Sequence, residues 1–181
     1  MALGATIFKA DLQIADMDRG YYRDHGLVLA RHPSETDERM LVRLLAFALN
    51  ASESLTFGRG LSTEDEPDLC QSDLTGLIEL WIDVGLPSEK ALRKACGRAA
   101  QVRVYAYGGR AVDVWWKQIA GRLDRCTNLT VINLPQRATQ QLARLARRSM
   151  QLQCTVQDGQ AWLSDGETSV EIVPETLLQP G

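Results

Sequence analysis

Along residues 5–15, ATIFKADLQIA, apolar Phe8, Ala10, Leu12 and Ile14 alternate with their neighbours. That period of two predicts a strand with one buried face. A turn at DMDRG and a second strand-like run, YYRDHGLVLARH, predict that the chain opens with a β-hairpin. The period then changes. In PSETDERMLVRLLAFALNA, Met40, Leu41, Leu44, Leu45 and Ala48 recur at helical spacing. Ser34 follows Pro33 as a candidate N-cap, with Asp37 at the capping-box position and Glu35 and Glu38 suited to a positive helix end.

Further on, the pattern predicts a short strand near LTFGRG, an acidic loop STEDE, a strand at 68–71, a turn through SDLTG and a strand over 77–84. PSEKALRKACGRAA predicts a helix headed by Pro87 and Ser88. QVRVYAY, rich in β-branched and aromatic residues, predicts a strand. GRAVDVWWKQIAGRL then reads as helix, NLTVINL as strand and PQRATQQLARLARRS as helix. The tail alternates again, broken by Asp158-Gly159 and Asp165-Gly166, turn dipeptides of an antiparallel meander. With no repeat, low-complexity tract or long linker, residues 1–181 read as a single α+β domain with a mixed β-sheet and flanking helices. At 181 residues the chain suits one domain with a full-sized core.

Composition changes the picture in three places. No apolar run reaches bilayer-spanning length and the N-terminus carries no basic, continuously apolar leader, so a cytoplasmic chain is expected. Cys70, Cys96, Cys126 and Cys154 lack metal-ligand or redox spacing, so free thiols are expected. With only two histidines, any metal would be a hard, oxygen-liking ion rather than zinc. Charge is unevenly spread. Residues 1–89 hold 7 basic and 16 acidic side chains, residues 90–148 hold 13 and 2, and residues 149–181 hold 0 and 5. A cationic middle third points to a polyanion partner, or to solvated helix faces balanced in space by the acidic flanks.

The candidate chemistry lies in EPDLCQSDLTGLIELWIDVGLP. Glu79, Trp81, Asp83 and position 85 share one face of the 77–84 strand. Asp83 lies near its end, and Asp68, directly after Pro67, is one strand away. If the strands pair, two carboxylates converge, and they then share a proton or hold a cation. Magnesium takes one or two carboxylates and keeps several waters.

The element order, with Pro67-Asp68 and then Asp83 in the next strand, resembles the PD-(D/E)XK nuclease superfamily. More closely, ARHPSETDERMLVRLLAFAL, EPDLCQSDLTGLIELWIDVGLP, DVWWKQ and the QDGQAWLSDG tail resemble the bacterial YaeQ family from end to end, a family of poorly defined function. The resemblance implies a restriction-endonuclease-like core with an N-terminal hairpin and C-terminal antiparallel strands. It implies a Mg²⁺- or Mn²⁺-dependent nuclease-like activity on DNA or RNA, with Asp68 and Asp83 as metal ligands and Glu79 as a third acid. Carried over, the (D/E)-X-K signature becomes Asp83-Val84-Gly85, with glycine where lysine belongs. Lys90 and Lys94 are the candidates for a migrated lysine. Arg93, Arg98, Arg103 and Arg110 are the candidate backbone-binding residues, and Glu38 is a candidate second-layer acid. The rival expectation is a catalytically inactive nuclease-fold module that binds nucleic acid or an acidic protein. No membrane, no organic cofactor and no more than a monomer are expected.

Overall fold

The computed structural model describes residues 4–58 and 65–181. Residues 59–64, and with them most of the expected acidic loop, lie outside the described residues. Among the described residues, eleven strands form two sheets. The first sheet takes both ends of the chain: β1 (Thr6–Asp16), β2 (Tyr21–Arg31), β8 (Ser149–Gln157), β9 (Gln160–Ser164) and β10 (Ser169–Ile172), in the order β10-β9-β8-β1-β2. The expected hairpin is β1–β2 and the expected meander is β8–β9–β10. The two join through a parallel pairing of β1 with β8, Lys9 facing Ser149 and Asp16 facing Val156. Asp18, in the hairpin turn, accepts the backbone N–H groups of Asp158 and Gly159 at 2.8 Å each, fastening the second turn to the first.

The second sheet holds β3 (Leu55–Phe57), β4 (Leu69–Ser72), β5 (Ile78–Val84), β6 (Ala99–Ala106), β7 (Leu129–Asn133) and β11 (Glu175–Leu178) in the order β11-β7-β6-β5-β4-β3. Its parallel centre, β5-β6-β7, is crossed by α2 (Glu89–Arg98) and α3 (Arg110–Ile119). These helices cover one face, where Trp81, Leu92, Ala95, Val102, Val104, Val112 and Trp115 form a core. The other face packs on α1 (Asp37–Asn50) and α4 (Gln136–Ala143), which also contact the inner face of the first sheet.

That sandwich explains α1. The sequence predicts a one-sided apolar stripe, yet every residue from Met40 to Ala48 is buried, as a helix between two sheets must be. The N-cap also differs from expectation. Thr36 accepts the Arg39 N–H, while the Ser34 hydroxyl is turned to His32. The helix from Pro135 stops at Ala143, shorter than its pattern, and Arg144 to Arg148 turn the chain into β8. The four cysteines are free thiols. No helix among the described residues is long and apolar enough to cross a membrane.

Candidate active site

The parallel strands β5, β6 and β7 end side by side at Val84, Ala106 and Asn133, and β4 begins at the same edge. Ligands of α/β sheets gather at such carboxyl ends, where the chain leaves the ladder. Leu69 faces Ile82, so Asp68 and Asp83 occupy the next positions of the two strands. The chain before Asp68 is held tightly: Gly58 donates its N–H to the Asp68 carbonyl at 2.8 Å. A Cβ at Gly58 would lie 2.2 Å from the Pro67 carbonyl oxygen, so only glycine allows that approach.

Asp68 is fully buried and both its oxygens are engaged. Oδ2 accepts the Val84 backbone N–H at 2.8 Å, and Oδ1 accepts Arg39 Nη2 at 2.8 Å. Arg39 also donates to Glu35 at 2.6 Å, and Arg43 grips the same Glu35 with two bonds of 2.6 and 2.9 Å. Arg43 reaches the Ala30 carbonyl too, tying the network to β2. Burial works against the charge of Arg39, but Asp68 and Glu35 outweigh it and raise its pKa.

Asp83 is different. It is only 8% exposed, and among the described residues neither its Oδ1 nor the indole nitrogen of Trp81 two positions earlier makes a well-formed hydrogen bond, although the two groups lie close enough to interact. Burial first, and the Asp68 charge second, push its carboxyl up to about 6. The Trp81 indole, the Asp68 backbone N–H and Arg39 oppose that rise without cancelling it. Half-buried Tyr107 follows β6, and burial raises its hydroxyl pKa. Arg39 pulls that value down while Glu38, Glu35 and Asp68 push it up, so the phenol shares their neighbourhood. Glu38 accepts the Thr139 hydroxyl at 2.8 Å, linking α1 to α4.

The other sequence candidates are engaged with other partners or exposed. Glu79 is exposed and accepts Gln71 Nε2 at 2.6 Å. Four strand residues from Asp83 place it about 13 Å away. Lys94 pairs with Asp65, and Lys90 and Arg98 add to the positive charge that lowers the Asp65 pKa, Lys94 contributing most. Arg98 also donates to the Asp65 carbonyl and lies over the Trp81 ring at 5.1 Å. Arg93 pairs with Glu89 at 2.6 Å. Arg103 turns inward to the side-chain amide oxygen Oδ1 of Asn50, and Arg110 is exposed at the start of α3.

Gly85 has φ 108° and donates its N–H to the Tyr105 carbonyl at 2.9 Å. The position of the motif lysine therefore has a backbone that side chains rarely adopt. Gly85→Lys is expected to cost about 1–3 kcal/mol of stability and to create no new hydrolytic activity. Urea unfolding with an activity assay checks this, and a stable variant with raised activity would contradict it.

Three residues that complete the site escaped the sequence reading: Arg39, Arg43 and Tyr107. Arg39 and Arg43 are four apart, the spacing that stacks side chains on one helical face, and Glu35, one residue before the N-cap Thr36, continues the interval of four and pairs with both. That acid-to-arginine ladder was the signal available.

A family model described as YaeQ protein matches residues 1–174. The chain belongs to the YaeQ family. It is 48% identical to the uncharacterized protein YaeQ of Salmonella typhi over 181 residues, covering 99% of each chain. Its identity to the uncharacterized protein YaeQ of Escherichia coli K12 is 45% at the same coverage. The crystal structure of the YaeQ protein from Xanthomonas axonopodis pv. citri superposes with a TM-score of 0.93 at 50% identity, covering 97% of this chain and 99% of that one. The Pseudomonas syringae YaeQ crystal structure gives 0.91 at 34% identity, with 96% of both chains covered. The α+β fold expected from the sequence is that of the YaeQ crystal structures.

Proposed function

We propose that this YaeQ protein is a nuclease-like hydrolase of nucleic-acid phosphodiesters, a variant of the PD-(D/E)XK superfamily that works with Mg²⁺ or Mn²⁺. One observation carries the reading: the buried Asp83 carboxyl beside Asp68, whose Oδ1 makes no well-formed hydrogen bond among the described residues. A buried carboxylate with incompletely bonded oxygens is costly, and a proton or a cation relieves it. Among the described residues, four carboxyls, Glu35, Glu38, Asp68 and Asp83, gather around two guanidiniums, Arg39 and Arg43, two more negative charges than positive.

The residues fit a hard divalent ion held jointly with a substrate phosphate. Magnesium is commonly bound through one or two carboxylates plus phosphate and water. They do not form a closed cage, because among the described residues no three His, Cys, Asp or Glu side chains cluster to hold a metal. Asp83 would be the first ligand and Asp68 the second, once Arg39 yields one of its oxygens. A bound divalent ion would neutralise charge growing on a scissile phosphate. Arg39 would supply the fixed positive charge that lysine gives in the motif, aimed at the same phosphate. Tyr107, next to Arg39, would orient the phosphate through its hydroxyl.

The test is incubation of the pure protein with labelled DNA and RNA in Mg²⁺ or Mn²⁺, beside the Asp83→Asn variant. Cleavage by the wild type that falls at least a hundredfold in the variant is the expected result. No cleavage of any substrate by the wild type would overturn it. The second reading, a binding module without catalysis, draws on the positive φ of Gly85 and on the Arg39 bond already made to Asp68. It predicts nucleic-acid binding that survives Asp83→Asn and never needs metal.

A further inference from the structure

The helix predicted to hold a nucleic-acid backbone spends much of its charge internally, since Arg93 answers Glu89 and Lys94 answers Asp65. A different corner keeps more of its charge. Arg144 and Arg147, at the end of α4, are exposed, and Arg147 donates only to the carbonyls of Arg144 and Ala146. Arg148 donates to the Ile7 carbonyl at 3.1 Å, and the Lys9 N–H returns to the Arg148 carbonyl at 2.9 Å. The guanidiniums of Arg31 and Arg148 both lie over Phe8, at 5.0 and 5.6 Å. The chain thus brings Arg31, Arg144, Arg147 and Arg148 together from β2 and the α4–β8 turn, beside Phe8 of β1. Two acids temper them. Asp37 pairs with Arg31, and exposed Asp165 feels Arg147, although backbone N–H groups do more to lower its pKa.

This corner adjoins the acid pair. Asp37, the partner of Arg31, is the first residue of α1, and Arg39, two positions on, holds Asp68. Arg43 of the same helix bonds to Ala30, next to Arg31.

We infer that the corner formed by Arg31, Arg144, Arg147 and Arg148 is the surface on which a nucleic-acid phosphodiester backbone lies, leading it to Asp68 and Asp83. The inference rests on the proposed hydrolase reading for the identity of the polyanion. The pairing is electrostatic and indifferent to sequence, as contacts to phosphate are. Arg31 and Arg148 are pre-positioned by Phe8, so they lose little side-chain freedom on binding, whereas Arg144 and Arg147 reach outward. The α2 face, with its acids in place, contributes little.

The experiment measures anisotropy of fluorescein-labelled single-stranded DNA with the full-length protein in EDTA, across a series of salt concentrations. The double substitution Arg144→Glu/Arg147→Glu is expected to weaken binding at least tenfold at low salt. Loss of two phosphate contacts should flatten the slope of log affinity against log salt by about 1.4. Arg144→Gln/Arg147→Gln, gentler on the end of α4, should show a smaller loss in the same direction with an unchanged melting temperature. Arg93→Glu/Lys94→Glu should stay within about twofold of wild type. Equal binding by the α4 variants, or an equal loss from the α2 pair, overturns the inference. So does a protein that binds anionic lipid vesicles but no oligonucleotide. Because EDTA removes hydrolysis from the measurement, binding with the predicted losses but no cleavage in Mg²⁺ would reject only the hydrolase reading. Cleavage with no effect of the α4 substitutions would reject only this surface.

Discussion

Replacing Glu35 by alanine is expected to remove about 3–5 kcal/mol of folding stability, the cost of leaving buried charges without their counter-charge. Glu35 and Arg43 are each about 1% exposed at the side chain, and Arg39 shares the same carboxylate. Without Glu35, Arg43 keeps the Ala30 carbonyl and its place over the Phe57 ring at 5.8 Å, but no counter-charge among the described residues. The loss is expected to come from the stranded cation rather than from a strong attraction. A double substitution Glu35→Leu/Arg43→Met, which removes both charges, should therefore recover part of the loss, since buried ion pairs often exchange for apolar packing at little cost. Urea unfolding of the two variants checks this. A single variant that loses less than about 1 kcal/mol, or a double variant less stable than the single, would contradict it.

The second large effect has the opposite sign. In EDTA at pH 7 and above, Asp83→Asn is expected to be more stable than the wild type. The folded carboxyl sits at about 6 against an ordinary value of 3.8, so between those values the folded state holds more proton than the unfolded one. Stability from this group is therefore full below about pH 4 and is lost as pH rises through about 6. A shift of about two pK units corresponds to roughly 3 kcal/mol. The wild type should thus fall behind Asp83→Asn by about that amount between pH 4 and pH 7, other carboxyls cancelling in the comparison. Parallel denaturation curves at both pH values decide it. A difference that does not change with pH would mean that Asp83 is not held in a dry, acid-facing environment.

Local patterns in the sequence were enough to place the strands of the hairpin and meander, because their alternation and their Asp-Gly turns are properties of neighbouring residues. The pairing of β1 with β8 was not legible, since it joins segments some 140 residues apart and leaves no local trace. For α1 the stripe was visible but its full burial was not, because burial on all sides is set by the second sheet. Ser34 looked like the cap until His32 claimed its hydroxyl, which left Thr36 to do the work.

At the site, the adjacency of Asp68 and Asp83 followed from strand pairing and could be read from spacing. That Arg39 would already hold Asp68 could not, because α1 is brought over the sheet by packing rather than by any motif. Glu79 shares the face of Asp83, yet sharing a face along a strand does not bring side chains together when four residues intervene. At Gly85, where the resemblance to the nuclease signature would put a lysine, the backbone has a positive φ, which a one-letter pattern does not record.

The central claim is that the uncompensated charge around Asp83 takes a divalent ion. Its most direct test follows the electron paramagnetic resonance signal of free Mn²⁺ as protein is added, with and without an unlabelled, non-hydrolysable phosphorothioate oligonucleotide. The prediction is one Mn²⁺ withdrawn per wild-type chain, more tightly with the oligonucleotide, and none by Asp83→Asn. An undiminished Mn²⁺ signal, or equal uptake by wild type and variant, would contradict it.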